Sequence, residues 1–200
     1  MINRVNEVNV KVWDLPTRLF HWALVLGFIS AYLTAEFHLG FIHTFIGYFL
    51  CLLLVARIIW GFVGNQYARF KSFIFSPQET LTYLHGMLHN NPRHYLGHNP
   101  AGALMVFGLL TLLALIMITG LVTLALIDFE GPLLFLIDYF DDEVSYAIRH
   151  LHGLLIDIAL VIIPLHLLGV AAGSLQHKEN LVRAMITGKK KNIATGVSGQ

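Results

Sequence analysis

The chain alternates long apolar runs with short polar connections. Four runs reach membrane-spanning length, at 17–35, 41–63, 101–127 and 151–175, against the roughly 20 residues a helix needs to cross a bilayer. Each mixes Leu, Ile, Val and Phe and is broken mainly by Gly, Ser, Thr and His, which transmembrane helices tolerate. The pattern predicts an all-α membrane protein, a four-transmembrane-helix bundle forming a single integral-membrane domain over 1–200. Between runs two and three, Ser76-Pro77-Gln78-Glu79 reads as a helix N-cap with proline at the first position. Leu81, Leu84 and Leu88 then share one face, which predicts a short helix lying on the membrane surface. A short helix near 131–138 is an open alternative to loop, and the acidic stretch 138–143 is too polar to insert.

Composition agrees with this class. Hydrophobic residues make up 56% of the 200 residues and charged ones 12%, half the charge of an ordinary soluble domain; mean hydropathy is +0.67. The distribution of charge matters more than its net of +1. Arg4, Lys11, Arg18, Arg57, Arg69, Lys71, Arg93, Lys178, Arg183, Lys189, Lys190 and Lys191 fall on one side of the predicted topology. Arg149 stands alone on the other, among Asp128, Glu130, Asp138, Asp141, Asp142 and Glu143. Lys and Arg mark the cytoplasmic side, so both termini are expected there. Trp13, Trp22 and Trp60 are expected near that interface. The lone Cys51 excludes a disulfide framework, and there is no C-x-x-C-H for covalent haem attachment. The N-terminal region lacks a short apolar core followed by a cleavage site, so the first span is expected to be retained. No nucleic-acid partner is expected.

Four histidines fall inside or at the mouths of the spans: His21, His43, His152 and His166. His152 and His166 lie fourteen residues apart, 40° short of four full turns, so both leave the same helix face about 21 Å apart. In an up-and-down arrangement with cytoplasmic ends, His21 matches the depth of His166, and His43 that of His152. Any one of these imidazoles could simply bond to a neighbouring helix. Two pairs at matched depths instead suit two planar macrocycles, one above the other, each iron held by two imidazoles. A closed zinc site would need four ligands in one place. His150 is rotated away from His166 and is the weaker ligand candidate. Gly47, Gly153 and Gly169 sit near the ligands in sequence, where a side chain could crowd a porphyrin; close helix packing explains them equally well.

Arg57, fourteen residues after His43, and Arg18, one turn before His21, are candidates to pair with haem propionates, with snorkelling to the interface as the alternative. Asp157 is the one acidic residue deep in a span and faces away from the histidine pairs. It fits a proton path or, more simply, a hydrogen bond to a neighbouring helix. His98 opens span three as a capping residue or, alternatively, a redox-site residue. His38, His85, His89, His94 and His177 read as solvated.

The run from Lys11 to Trp22 (Lys-Val-Trp-Asp-Leu-Pro-Thr-Arg-Leu-Phe-His-Trp) resembles the opening of the bacterial cytochrome b561 family, in its branch close to hydrogenase cytochrome b subunits. Arg57 to Gly64, Gly97 to Gly102 and Glu179 to Met185 resemble further segments of that branch. The resemblance implies a four-helix cytochrome with two b haems in the bacterial inner membrane, ligated by the same four histidines. It also implies electron exchange between the quinone pool and a redox partner. The acidic surface points to a basic periplasmic partner such as a c-type cytochrome. Other readings are a superoxide:quinone oxidoreductase, the membrane anchor of a hydrogenase-like complex and, from a different class, a haem-free metal-ion transporter. Whether the chain is an electron carrier or a quinone-linked enzyme subunit stays open.

Overall fold

The computed structural model describes residues 8–89 and 93–192; Arg4 lies outside them. Four helices are long and apolar enough to cross a membrane: α1 Leu15–Glu36, α2 Gly40–Val63, α4 Pro100–Leu126 and α5 Asp142–Gln176. The shorter helices are α3 Pro77–Leu88 and α6 Leu181–Thr187. Strand β1 Val8–Lys11 pairs antiparallel with β2 Lys189–Asn192, and 3-10 turns occupy Phe70–Phe73 and Leu134–Tyr139.

The chain divides into two compact units. The helical unit comprises Phe20–Ile59 and Leu104–Leu167. Its densest packing joins α4 to α5: Leu112 and Ile116 bury against Leu155 and Ala159, flanked by Phe28 of α1. Helices α1 and α2 approach closely at Gly27, where an added Cβ would lie 2.7 Å from Leu50. Elsewhere the unit turns large apolar side chains outward, including Leu26, Phe45, Leu52 and Val161. A water-soluble surface avoids such continuous apolar cover, whereas hydrocarbon accepts it.

Helix α5 begins nine residues before the predicted start of span four. Asp141 caps it, its Oδ1 accepting from Val144 N at 2.9 Å, and Asp142 and Glu143 occupy its first turn. Carboxylates there complement the helix dipole, so residues too acidic for hydrocarbon still extend the helix beyond it. Its 35 residues span about 52 Å, well over the roughly 30 Å hydrocarbon core. Pro164 lies inside α5; it leaves the Leu160 carbonyl without its usual intrahelical donor.

The second unit gathers the segments at both ends of the chain with Trp60–Ala103. Val12 and Trp13 are buried against Ala184, so Trp13 is a core residue here. Gly188 ends α6 at φ +79°, and its carbonyl accepts from Val12 N and Trp13 N at 2.8 and 3.1 Å. A side chain at this position would strike the Trp13 carbonyl. Asp14 caps α1 through Thr17 N at 2.9 Å and accepts from Trp60 Nε1 at 2.9 Å. In α3, Ser76 caps Glu79 N at 3.1 Å. Tyr83 is buried while Leu81, Leu84 and Leu88 are exposed, the two-faced form expected of a helix on a membrane surface.

Candidate haem-binding site

All four span histidines belong to the helical unit: His21 on α1, His43 on α2, and His152 and His166 on α5. The rings of His43 and His152 face each other with centroids 6.4 Å apart and planes at 86°. With a metal–nitrogen bond of about 2 Å and roughly 1.1 Å from nitrogen to ring centre, a metal held between two imidazoles would set their ring centres about 6.2 Å apart.

Each ring of this pair is aimed by a backbone carbonyl. His43 Nδ1 lies 2.9 Å from the Ala31 carbonyl of α1. His152 Nδ1 lies 3.1 Å from the Ile116 carbonyl and 3.1 Å from Thr119 Oγ1, both on α4. The Thr119 hydroxyl is itself within donating distance of the Leu115 and Ile116 carbonyls. A carbonyl accepts from Nδ1–H, which leaves Nε2 free to ligate, the usual supporting arrangement for a metal-bound histidine. Gly120 completes the support: a Cβ there would stand 3.0 Å from His152 Cε1. Helix α4 therefore supplies no imidazole but holds the ring that α5 supplies.

His21 and His166 lie close enough to interact electrostatically. His21 Nδ1 is buried with no hydrogen-bond partner among the described residues, and the Trp22 ring packs edge-on at 5.1 Å. Among the described residues no three or more His, Cys, Asp or Glu side chains cluster to hold an ion. Donors that come in twos suit a metal whose remaining ligands a macrocycle supplies. Open space surrounds Gly47 of α2, with nothing within 4 Å of a would-be Cβ. The paired donors, the carbonyl-held rings, the orphaned His21 nitrogen and this space fit haem.

The other candidates fall in different places. Arg57 is 5% exposed, with its guanidinium 6.0 Å from the Phe20 ring centre. Arg18 belongs to the second unit, where its guanidinium donates to the carbonyls of Ile186 and Asp14. His98 packs between the rings of Trp13 and Phe73, at 4.6 and 4.3 Å. The cap of α4 is instead Asn99, whose Oδ1 accepts from Gly102 N at 2.7 Å. His38, His85, His89 and His150 are exposed.

His177 is not simply solvated. Its Nε2 lies 3.3 Å from the Tyr83 hydroxyl, and its ring is 5.4 Å from that of His94. Nearby, Lys190 Nζ pairs with Glu179 at 3.2 Å. Burial, then the neighbouring His94 and Lys190, hold the His177 pKa below the usual imidazole value, against an opposing pull from Glu179. Burial first, and Tyr95 second, raise that of Tyr83. The residues the sequence did not single out are Ala31, Thr119 and Gly120. The adjacent Thr119-Gly120 pair in α4, a mainly aliphatic span, was the one visible sign of the last two.

Four apolar helices, three of which present imidazoles, define a class, the multi-pass membrane haem proteins. The chain belongs to the prokaryotic cytochrome b561 family, whose family model matches residues 12–188. It is accordingly a membrane cytochrome of the b type. Among curated proteins it is similar to the probable Ni/Fe-hydrogenase B-type cytochrome subunit of Rhizobium leguminosarum bv. viciae. The two are 29% identical over 143 residues, covering 58% of this chain and 60% of that one. The probable Ni/Fe-hydrogenase 1 B-type cytochrome subunit of Escherichia coli (strain K12) matches with the same identity and coverage. That of Azotobacter vinelandii is 28% identical over 130 residues, 50% of this chain and 53% of that one. The chain thus spans little more than half the length of these relatives. No solved structure matches it.

Proposed function

We propose that the chain carries electrons across the bacterial inner membrane through two bis-histidine b haems, between the quinone pool and a redox partner on the periplasmic side. The observation that carries this reading is the His43–His152 pair, set 6.4 Å apart and aimed by carbonyls of two other helices. His21 and His166 hold the second haem toward the cytoplasmic leaflet, where the excess of Lys and Arg places both termini. Haem bound by His43 with His152, and by His21 with His166, would supply one-electron exchange. The protein's part is to fix the rings, to exclude water with aliphatic walls, and to set the local charge. Arg57, buried at the far end of α2 from His43, is the candidate to neutralise a propionate of the cytoplasmic haem.

The periplasmic connection between α4 and α5 and the first turn of α5 expose Asp138, Asp141, Asp142 and Glu143, a surface that steers a basic partner such as a c-type cytochrome. A second reading makes the partner a subunit of a hydrogenase-like complex, in line with the names of the similar proteins. Stopped-flow oxidation of the quinol-reduced protein by a basic c-type cytochrome tests the first. Electrostatic docking predicts a rate that falls steeply as salt rises from 20 to 200 mM; a salt-independent rate counts against it and favours the second. A dithionite-reduced spectrum without a b-type band would remove both.

A further inference from the structure

We infer that the outer face of α5 around Asp157 is a docking surface for a membrane-spanning helix of another chain, one that presents a Lys or Arg at the same depth. Asp157 lies five residues beyond His152 and nine before His166, about 7.5 and 13.5 Å along the axis. It therefore sits between the two ligand levels, well inside the span. It is turned 140° from His152 and 180° from His166, is exposed, and has no hydrogen-bond or ion-pair partner among the described residues. The hydrogen bond to a neighbouring helix expected from the sequence is absent among the described residues.

An ionisable side chain at this depth is costly against lipid, and such residues face bundle interiors or partners. The surrounding face is shaped for a partner. Gly153, one turn before Asp157, is exposed with nothing within 4 Å of a would-be Cβ, so another backbone can approach closely beside the carboxylate. Leu154 and Val161, 46% and 63% exposed, flank it with aliphatic surface. Gly153 thus points away from the haem sites and toward this face.

The chemistry of the occupant follows from the carboxylate. A second copy of this chain offers no matching cation. The only Lys or Arg residues in its four long helices are Arg18, Arg57 and Arg149. Arg57 is buried, Arg18 is held by Ile186 and Asp14, and Arg149 lies two turns from Asp157 toward the helix start. A different helix with an intramembrane Lys or Arg satisfies the carboxylate in a medium where no water competes. The inference does not depend on the direction of electron flow or on the identity of the periplasmic partner.

Reconstituting the haem-loaded protein with synthetic membrane-spanning peptides tests it. The peptides are Leu/Ala-rich and carry Lys, or Leu as control, at the central position; association is read by energy transfer between labels on the peptide and the protein. The expected result is association with the Lys peptide at least tenfold tighter than with the Leu peptide, lost in the Asp157→Leu variant. That variant should keep the wild-type haem content, because Asp157 faces away from the haem sites. Equal association of the two peptides would overturn the inference. So would Asp157-dependent pairing of the protein with itself in peptide-free vesicles, or loss of haem from Asp157→Leu.

Discussion

At the scale of single residues, the α4 support of His152 makes the sharpest demand on sequence. Gly120 leaves only 3.0 Å between a would-be Cβ and the imidazole, so Gly120→Leu must displace the ring. The expected outcome is haem content falling to about half, with the His21–His166 site still loaded, as measured by the pyridine haemochrome. Thr119→Val removes one Nδ1 contact but keeps the Ile116 carbonyl; loss of such a supporting bond weakens ligation about 10–100-fold. Haem retention during dilution should therefore be lower in Thr119→Val than in the wild type, without full loss. The approach of His43 to His152 was legible because helical order and depth report which side chains of different spans lie level. Their supports were not, because a carbonyl contact from Ala31 or Ile116 is a property of the backbone and carries no residue-type signature.

At the scale of elements, the spans were legible because hydrocarbon permits only long apolar helices with internally satisfied backbones. The start of α5 was not, because a charged first turn extends a helix past the bilayer without changing its hydropathy pattern. The β1–β2 ribbon was also hidden: it pairs two four-residue segments from opposite ends of the chain, and neither alternates clearly. The His177 contacts join the α5–α6 connection to α3 and have a measurable consequence. Its pKa is lowered in the folded state, so the unfolded chain binds the proton more readily. This contribution to stability is present above the unfolded value near 6.5 and fades as pH falls below it. Limited proteolysis near α6 should be faster at pH 5 than at pH 7.5, and His177→Gln should narrow that difference. An unchanged ratio would contradict the assigned cause. Ser76→Ala, which removes the α3 cap, should lower the stability of that helix by about 1 kcal/mol, read as faster amide exchange across Pro77–Leu88.

At the scale of the whole molecule, one helix carries an imidazole toward each leaflet, and two other helices supply the opposing rings. On the proposed function, that arrangement would give a bilayer about 30 Å thick two relay points instead of one. The family and the b-type cofactor were legible from sequence, since the motifs flanking the spans resemble that family and its model matches residues 12–188. The periplasmic partner was not, because an acidic surface specifies a charge and not a shape. Haem stoichiometry decides the central claim. The pyridine haemochrome of purified, fully loaded protein should give two b haems per chain, and replacing either His43 or His152 should leave one. A value of one haem in the wild type, or no change on losing His43, would contradict the paired-histidine account.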